Sequence, residues 1–203
     1  MTVTVLGISG SPHRHGNTET LLDSFLDGAR SAGASVEKVV LKDLNYTPCR
    51  GCNACHKTGE CIVKDDAPPL FDKILAADCV AVASPIYSMG ITAQLKGFID
   101  RAQYLWSRKF LLKTLTFSEE HSRQHRWIFI STSGTDRKDV FDSAFPAVRA
   151  LFHDTGFEYE APDNILACNM DTWNGIKNHP TALKEAFEKG VQVVKEMEKL
   201  KNS

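Results

Sequence analysis

The chain alternates β-like runs with amphipathic helical runs, and this alternation constrains its fold more than any other feature. Short runs rich in apolar and β-branched residues predict five strands: Thr2–Ile8, Ser35–Leu41, Cys79–Ala83, Trp127–Thr132 and Phe157–Cys168. Stretches with apolar residues at helical spacing predict five helices: Glu19–Ala32, Pro68–Ala76, Thr92–Trp106, Val140–Asp154 and Thr181–Lys201. Strands that alternate with helices indicate a parallel sheet covered on both faces.

We therefore predict an α/β fold with a doubly wound, five-stranded parallel sheet of order 2-1-3-4-5. The length of 203 residues fits one domain, residues 1–203, with a cysteine-rich insertion at 45–64 after the second strand. In such sheets, ligands bind at the carboxyl ends of the strands. The loops after strands 1, 3 and 4 are therefore the candidate binding loops.

Charge and hydropathy exclude several classes of protein. Lys and Arg total 24 against 25 Asp and Glu, a formal net charge of −1, which argues against nucleic-acid binding and against a basic membrane-surface protein. No apolar run approaches the length that spans a bilayer. The N-terminus lacks a basic region before its apolar stretch, so it predicts a strand rather than a signal peptide, and we expect a cytoplasmic protein.

The loop after the first strand presents short hydroxyl and amide side chains at the mouth of a helix. It contains neither a Walker sequence nor the dinucleotide fingerprint. Free backbone N–H groups and the helix dipole suit a terminal phosphate there. The alternative is a plain strand–helix loop capped by Asn17 or Thr18. The candidate phosphate ligands are Ser9, Ser11, Pro12, Arg14, Asn17 and Thr18.

The loops after strands 3 and 4 fit a flat heteroaromatic ring. Such a ring needs apolar faces together with backbone N–H and C=O groups in its plane. The third strand is followed by Pro85, Ile86, Tyr87, Ser88 and Met89, and the fourth by the small pair Ser133 and Gly134. The alternative for the first of these loops is a capped turn whose tyrosine packs on the protein.

Two motifs resemble those of a known family. Residues 7–12, with Arg14 and residues 16–18, are similar to the FMN phosphate loop of the NADPH-dependent FMN reductases. Residues 84–87 and 94–101 resemble that family's isoalloxazine loop and the helix after it. The resemblance covers most of residues 3–135 and implies a flavodoxin-like fold, bound FMN and a homodimer or homotetramer. Many relatives place a bulky residue and a glycine after the tyrosine, where this chain has residues 88–90.

Four of the six cysteines are crowded into the insertion, as Cys49-x2-Cys52-x2-Cys55-x5-Cys61. Three thiols at this short interval can surround a compact inorganic core, as in ferredoxins, and the fourth would close the same cluster. The pattern resembles that of the iron–sulfur flavoproteins, which implies a [4Fe–4S] cluster on these cysteines. Zinc and metal-free thiols remain alternatives. We interpret His121 and His125 as a solvated segment rather than a metal site.

Together, the motifs predict a flavin oxidoreductase that takes electrons from NAD(P)H or a reduced carrier. Electrons would pass through FMN and the cluster to a small-molecule or protein acceptor, with no side chain needed as acid or base. A cluster-free FMN or quinone reductase is the first alternative. A non-enzymatic electron carrier or interaction protein is the second. Because the insertion leaves the carboxyl edge of the sheet, we expect it beside the flavin, within one chain or across a subunit contact.

Overall fold

A single parallel sheet forms the centre of the molecule. The computed structural model describes residues 2–157 and 164–201. Its strands are β1 (Thr4–Ser9), β2 (Ser35–Val40), β3 (Cys79–Pro85), β4 (Arg126–Thr132) and β5 (Ile165–Ala167). All neighbouring strands pair in parallel in the order β2-β1-β3-β4-β5. The predicted flavodoxin-like order 2-1-3-4-5 is thus confirmed.

The strand register brings the carboxyl ends of the central strands to one edge. Ser9 pairs with Val40 on one side and Ala83 on the other, and Pro85 pairs with Thr132. The loops after β1, β3 and β4 therefore leave the sheet together. This edge is where an open parallel sheet binds its ligands.

Helices cover both faces of the sheet. They are α1 (Asn17–Ser31), α2 (Cys55–Thr58), α3 (Ala67–Ala76), α4 (Ala93–Asp100), α5 (Gln103–Trp106), α6 (Glu119–Gln124), α7 (Phe145–Asp154) and α8 (Ala182–Lys201). Side chains alternate between two cores because successive strand residues point to opposite faces. Val80 and Val82 pack with α3, α4 and α7, whereas Ala81 and Ala83 pack with α1 and α8.

The α1–α8 pair requires glycine at its crossing. A β-carbon on Gly28 would lie 2.0 Å from the carbonyl oxygen of Phe187, and one on Gly190 would lie 2.1 Å from that of Phe25. No side chain fits at these distances. The two helix backbones can approach this closely only because both positions lack a side chain.

Two predicted helices differ from the structure. The helix expected over Val140–Asp154 is a 3₁₀ turn at Lys138–Phe141 followed by α7, and Pro146 lies in the first turn of α7, where its missing N–H costs nothing. The helix expected over Thr92–Trp106 is divided into α4 and α5. Residues 158–163 of the predicted fifth strand lie outside the described residues.

A π-helical segment, Ser107–Leu111, continues from α5, and a short 3₁₀ turn, Ile176–Asn178, precedes α8. The helix α6 and the one-turn helix α2 had not been predicted. Among the described residues, none of the helices is both long and apolar enough to cross a membrane.

Candidate functional site

A crevice of about 370 Å³ opens at the carboxyl edge of the sheet. The loops after β1, β3 and β4 form three of its walls, and the segment after β5 forms the fourth. Its lining residues are Ser11, His13, Gly16, Asn17, Thr18, Pro85, Ile86, Tyr87, Thr132, Ser133, Gly134, Met170 and Asp171. Both predicted motifs therefore face one space.

The first wall is the loop that leads into α1. The Ser11 hydroxyl accepts a hydrogen bond from the His13 amide at 3.1 Å, which closes the loop into a tight turn. The N-cap of α1 is Gly16, which has no side chain to accept the first helical N–H groups. These unmatched donors and the positive end of the helix dipole face the crevice, as an anion site requires.

The base of the crevice joins the first and third loops. The Thr18 and Thr132 hydroxyls lie 2.5 Å apart although the residues are 114 positions apart in the chain. The Asn17 side-chain oxygen accepts from the Ile176 amide at 3.0 Å. The hydroxyl of Ser9 is completely buried and has no partner in the described part of the chain.

The second wall ends in a strained two-residue turn. Tyr87 and Gly90 exchange both backbone hydrogen bonds, at 2.8 and 3.0 Å. Between them, Ser88 and Met89 have φ values of +49° and +66°, in the left-handed region that glycine and asparagine normally occupy in such turns. The turn places the Tyr87 side chain, which is 47% exposed, at the rim of the crevice.

In the third wall, the carboxylate of Asp171 packs against Gly134. The Ser133 amide donates to the Ala167 carbonyl at 3.0 Å, and the Met170 amide returns a bond to the Ser133 carbonyl at 3.1 Å. A β-carbon on Gly134 would lie 2.5 Å from an Asp171 carboxylate oxygen. The Asp171 side chain therefore packs closely on the β4 loop at a position that has no side chain of its own.

Eight of the thirteen predicted binding residues line the crevice, and the other five do not. Ser9, Pro12, Arg14, Ser88 and Met89 are not among the lining residues. The Arg14 guanidinium instead pairs with Glu19 at 3.2 Å and with Asp43 at 3.3 Å. The residues that sequence reasoning missed are His13, Gly16, Thr132, Met170 and Asp171.

Glu19, in the first turn of α1, is an acid beside the proposed anion site. Burial alone would raise the pKa of this carboxyl, but hydrogen bonds from Lys38 and the His15 amide, with the charges of Lys38 and Arg14, outweigh burial and lower the pKa. Its negative charge is thus matched by two cations. A negative charge in the first turn also interacts favourably with the positive end of the helix dipole.

The four clustered cysteines border a second pocket. Cys49, Cys52, Cys55 and Cys61 line it together with Arg101 and other residues of the loop and of α5. Cys49 and Cys52 are exposed, Cys55 is buried, and none of the four forms a disulfide. The sequence spacing thus brings all four thiols to one place.

The four thiols share a pocket without forming a site for a single metal ion in the described part of the chain. Burial raises the pKa of the Cys55 thiol, and the three neighbouring thiols raise it further. Within residues 2–157 and 164–201, no group of three or more His, Cys, Asp or Glu side chains is arranged to hold a metal ion. A polynuclear cluster is wider than one ion, so its ligands stand further apart.

Helix α4 separates the two pockets, which share no lining residue. At its first turn, the Thr92 hydroxyl caps the helix by accepting from the Leu95 amide and donates to the Gly10 carbonyl at 2.6 Å. At its other end, Arg101 reaches the cysteine pocket. The helix thus contacts the residue before Ser11 at one end and the cysteine pocket at the other. The expectation that the cysteine loop lies beside the flavin stays a prediction.

Comparison with known proteins places these features in a family. Residues 3–138 match the family described as NADPH-dependent FMN reductase. An iron–sulfur flavoprotein of Archaeoglobus fulgidus is 41% identical over 96 residues, which are 47% of this chain and 44% of that protein. One from Methanosarcina thermophila is 35% identical over 109 residues, 54% and 57% of the two chains. The chain thus spans about half the length of these curated relatives.

Solved structures show the same fold at low identity. A flavone reductase superposes with a TM-score of 0.67 at 18% identity, covering 98% of this chain and 64% of that one. An azoreductase from Bacillus anthracis superposes with a TM-score of 0.65 at 16% identity, covering 97% and 100%. With the family match over both binding loops and the cysteine loop, the conclusion is that this chain belongs to the NADPH-dependent FMN reductase family.

Proposed function

We propose that this protein is an FMN-dependent oxidoreductase that also holds a [4Fe–4S] cluster. It would pass electrons from NAD(P)H or a reduced carrier to an acceptor. The observation that carries the proposal is the pair of pockets at the two ends of α4, one suited to a flavin phosphate and ring, the other bordered by four thiols. FMN, when bound, supplies hydride and electron chemistry, and a cluster supplies single-electron transfer.

The first wall suits the FMN phosphate. The α1 amides that Gly16 leaves uncapped, with the hydroxyls of Ser11 and Thr18, would donate hydrogen bonds to a dianion. The Asn17 side chain lines the same wall. Since Arg14 is already paired with Glu19 and Asp43, recognition would rest on amide and hydroxyl donors.

The second and third walls suit the flavin ring. Pro85, Ile86 and Tyr87 would supply apolar surface, while the Ser133 hydroxyl oxygen and the Gly134 amide would supply polar groups at the ring edge. Ser88 and Met89 stay proposed ligands, because their turn borders this wall. The rigid turn would hold them in place without reorganisation.

The cysteine pocket suits a cluster that exchanges electrons at the protein surface. We propose Cys49, Cys52, Cys55 and Cys61 as its four ligands. Two of these thiols are exposed, so a one-electron partner can approach them. We also propose that the protein forms a homodimer or homotetramer, as its resemblance to the FMN reductases implies.

The test is cofactor analysis of anaerobically purified protein. We expect one FMN per chain on chromatography of heat-released flavin, together with iron and acid-labile sulfide in equal amounts. FMN without iron or zinc would favour the cluster-free reductase, bound zinc would replace the cluster, and FAD or no flavin would overturn the proposal. Steady NAD(P)H consumption with a quinone or ferricyanide would distinguish an enzyme from an electron carrier.

A further inference from the structure

Arg101, the residue after α4, is a buried cation at the cysteine pocket. Its side chain is 2% exposed. Its two terminal nitrogens donate to both carboxylate oxygens of Asp65, at 2.6 and 3.0 Å, and to the carbonyls of Thr47 and Val63. One of these nitrogens also donates to the Cys61 sulfur at 3.3 Å. The guanidinium therefore connects the cysteine loop to the core.

The ion pair with Asp65 does not by itself account for this arginine. A buried ion pair contributes little net stability, because desolvation offsets the attraction between the charges. All of its protein acceptors lie at the two terminal nitrogens, and the buried Nε has no partner among the described residues. A neutral thiol is a weak acceptor, whereas a thiolate or an inorganic sulfide is negatively charged and accepts strongly. The contact with Cys61 therefore points to an electron-rich sulfur in this pocket.

We infer that Arg101 is a positioning residue for the cluster, which holds Cys61 in its ligating position and makes reduction of the cluster more favourable. The inference rests on the proposed function. Reduction adds one electron, which comes from the flavin or a carrier, and neither makes nor breaks a bond. A fixed positive charge and hydrogen bonds to the sulfurs stabilise the more negative, reduced form, which raises the reduction potential.

Asp65 provides a matched control within the same ion pair. Its carboxylate also accepts from the amides of Thr47 and Ala67, so Asp65→Asn disturbs the same part of the loop as a change at Arg101. However, Asp65→Asn removes a negative charge near the cluster, whereas Arg101→Gln removes a positive one. A merely structural role predicts the same effect for both. The proposed role predicts shifts of potential in opposite directions.

The experiment compares the wild type with Arg101→Gln, Arg101→Lys and Asp65→Asn, all purified anaerobically. Iron, sulfide and FMN per chain, the thermal unfolding midpoint and a potentiometric titration followed by electron paramagnetic resonance are measured for each. For Arg101→Gln we expect full FMN, faster iron loss in air and a more negative cluster potential. For Asp65→Asn we expect a more positive potential, and a more negative one would support a merely structural role for the ion pair. Arg101→Lys keeps the charge but loses the forked geometry, so it should have an intermediate potential and an altered spectrum.

The possible outcomes separate the two proposals. Wild-type protein without iron would refute the cluster, and with it the proposed function. Wild-type iron together with an unchanged potential and spectrum in Arg101→Gln would overturn the role of Arg101 alone. If Arg101→Gln does not fold, Arg101→Lys decides the question: a shifted potential and spectrum support the inference, and wild-type values overturn it.

Discussion

The flavin crevice and the cysteine pocket are built in different ways. The crevice lies at the ends of three strands whose positions the β-ladders determine, from the Ser9–Ala83 pair to the Pro85–Thr132 pair. The cysteine pocket lies in a loop whose regular structure is the one-turn helix α2. That loop is held by side-chain hydrogen bonds, such as the Tyr46 hydroxyl donating to the Gln94 carbonyl at 2.6 Å and the Arg101 guanidinium donating to the Thr47 carbonyl.

This difference indicates which region depends on its ligand. The crevice walls follow from the sheet, so the crevice is formed before a flavin binds. The cysteine loop has two exposed thiols and an arginine with an unmatched donor, so we expect part of its order to come from the cluster proposed above. The predictions below test this contrast between a pocket built by the sheet and a pocket completed by its ligand.

The largest expected effect is the loss of the cluster from Cys52→Ser. Without one of four ligands, iron and sulfide should fall to near zero, while FMN should stay at one per chain because the crevice shares no residue with the cysteine pocket. One-electron acceptors should be reduced more slowly, with less effect on two-electron quinones. Cys168→Ser, outside both pockets, is the control. Full iron content in Cys52→Ser would contradict the assignment of Cys52 as a cluster ligand.

The next effect is the reciprocal loss of the flavin. Ser11→Asp combined with Thr18→Asp places two negative charges against the FMN phosphate, which should weaken binding by at least about 3 kcal/mol, or more than a hundredfold. Fluorescence titration of the flavin-free protein measures this, and thermal unfolding checks the fold. Ser35→Asp, an exposed position at the start of β2, is the charge control. Stoichiometric FMN in the double variant would refute the phosphate site.

The third prediction concerns how the stability of the fold depends on pH. Burial, with the charge of nearby His125, lowers the pKa of His121 to about 4, so its neutral form is favoured in the folded state. The unfolded chain therefore binds the extra proton from pH 6.5 downwards, and stability is lost as the pH falls from 6.5 to 4. The loss is at most about 2 kcal/mol after solvent screening.

His121→Phe should reduce this acid sensitivity. It keeps a ring between Phe117 and Phe157 and removes the titration. Asp154 acts in the opposite sense, because burial raises the pKa of its carboxyl to about 6, so stability decreases as the pH rises from about 4 to 6. Urea unfolding at several pH values, with Asp154→Asn as the opposite-sign variant, measures both effects. Equal acid sensitivity in His121→Phe and the wild type would contradict the assignment.

The smallest effect concerns the fourth wall of the crevice. The Asp171 carboxylate lies against Gly134, and its negative charge opposes an anionic ligand. Asp171→Asn should tighten FMN binding by less than about 1 kcal/mol, or a few-fold, because the residue is exposed. Isothermal titration of the flavin-free protein detects this. Asp136→Asn, which is exposed and outside the crevice lining, is the control. Weaker FMN binding by Asp171→Asn would show that the Asp171 charge does not oppose the ligand.

Local pattern was enough to predict the sheet and two walls of the crevice. Apolar runs and helical spacing identified the strands, and alternation indicated the order that the ladders confirm. The hydroxyl-rich loop before α1 and the loop after β3 were recognisable because consecutive residues form them. The packing of His121 and His125 against Phe157 was not predicted, since it comes from a residue far along the chain.

The residue types, their order and their spacing thus determined by themselves the α/β sheet, the two binding loops and the cysteine motif. Only the tertiary structure decided that Asp171 completes the crevice, that Arg14 is paired elsewhere, and that Arg101 donates to Cys61 from 40 positions away. The physical reason is that periodicity reflects how each segment packs against the sheet. Contacts between distant polar groups depend on which loops lie side by side once the sheet has formed. Local sequence patterns do not predict these contacts.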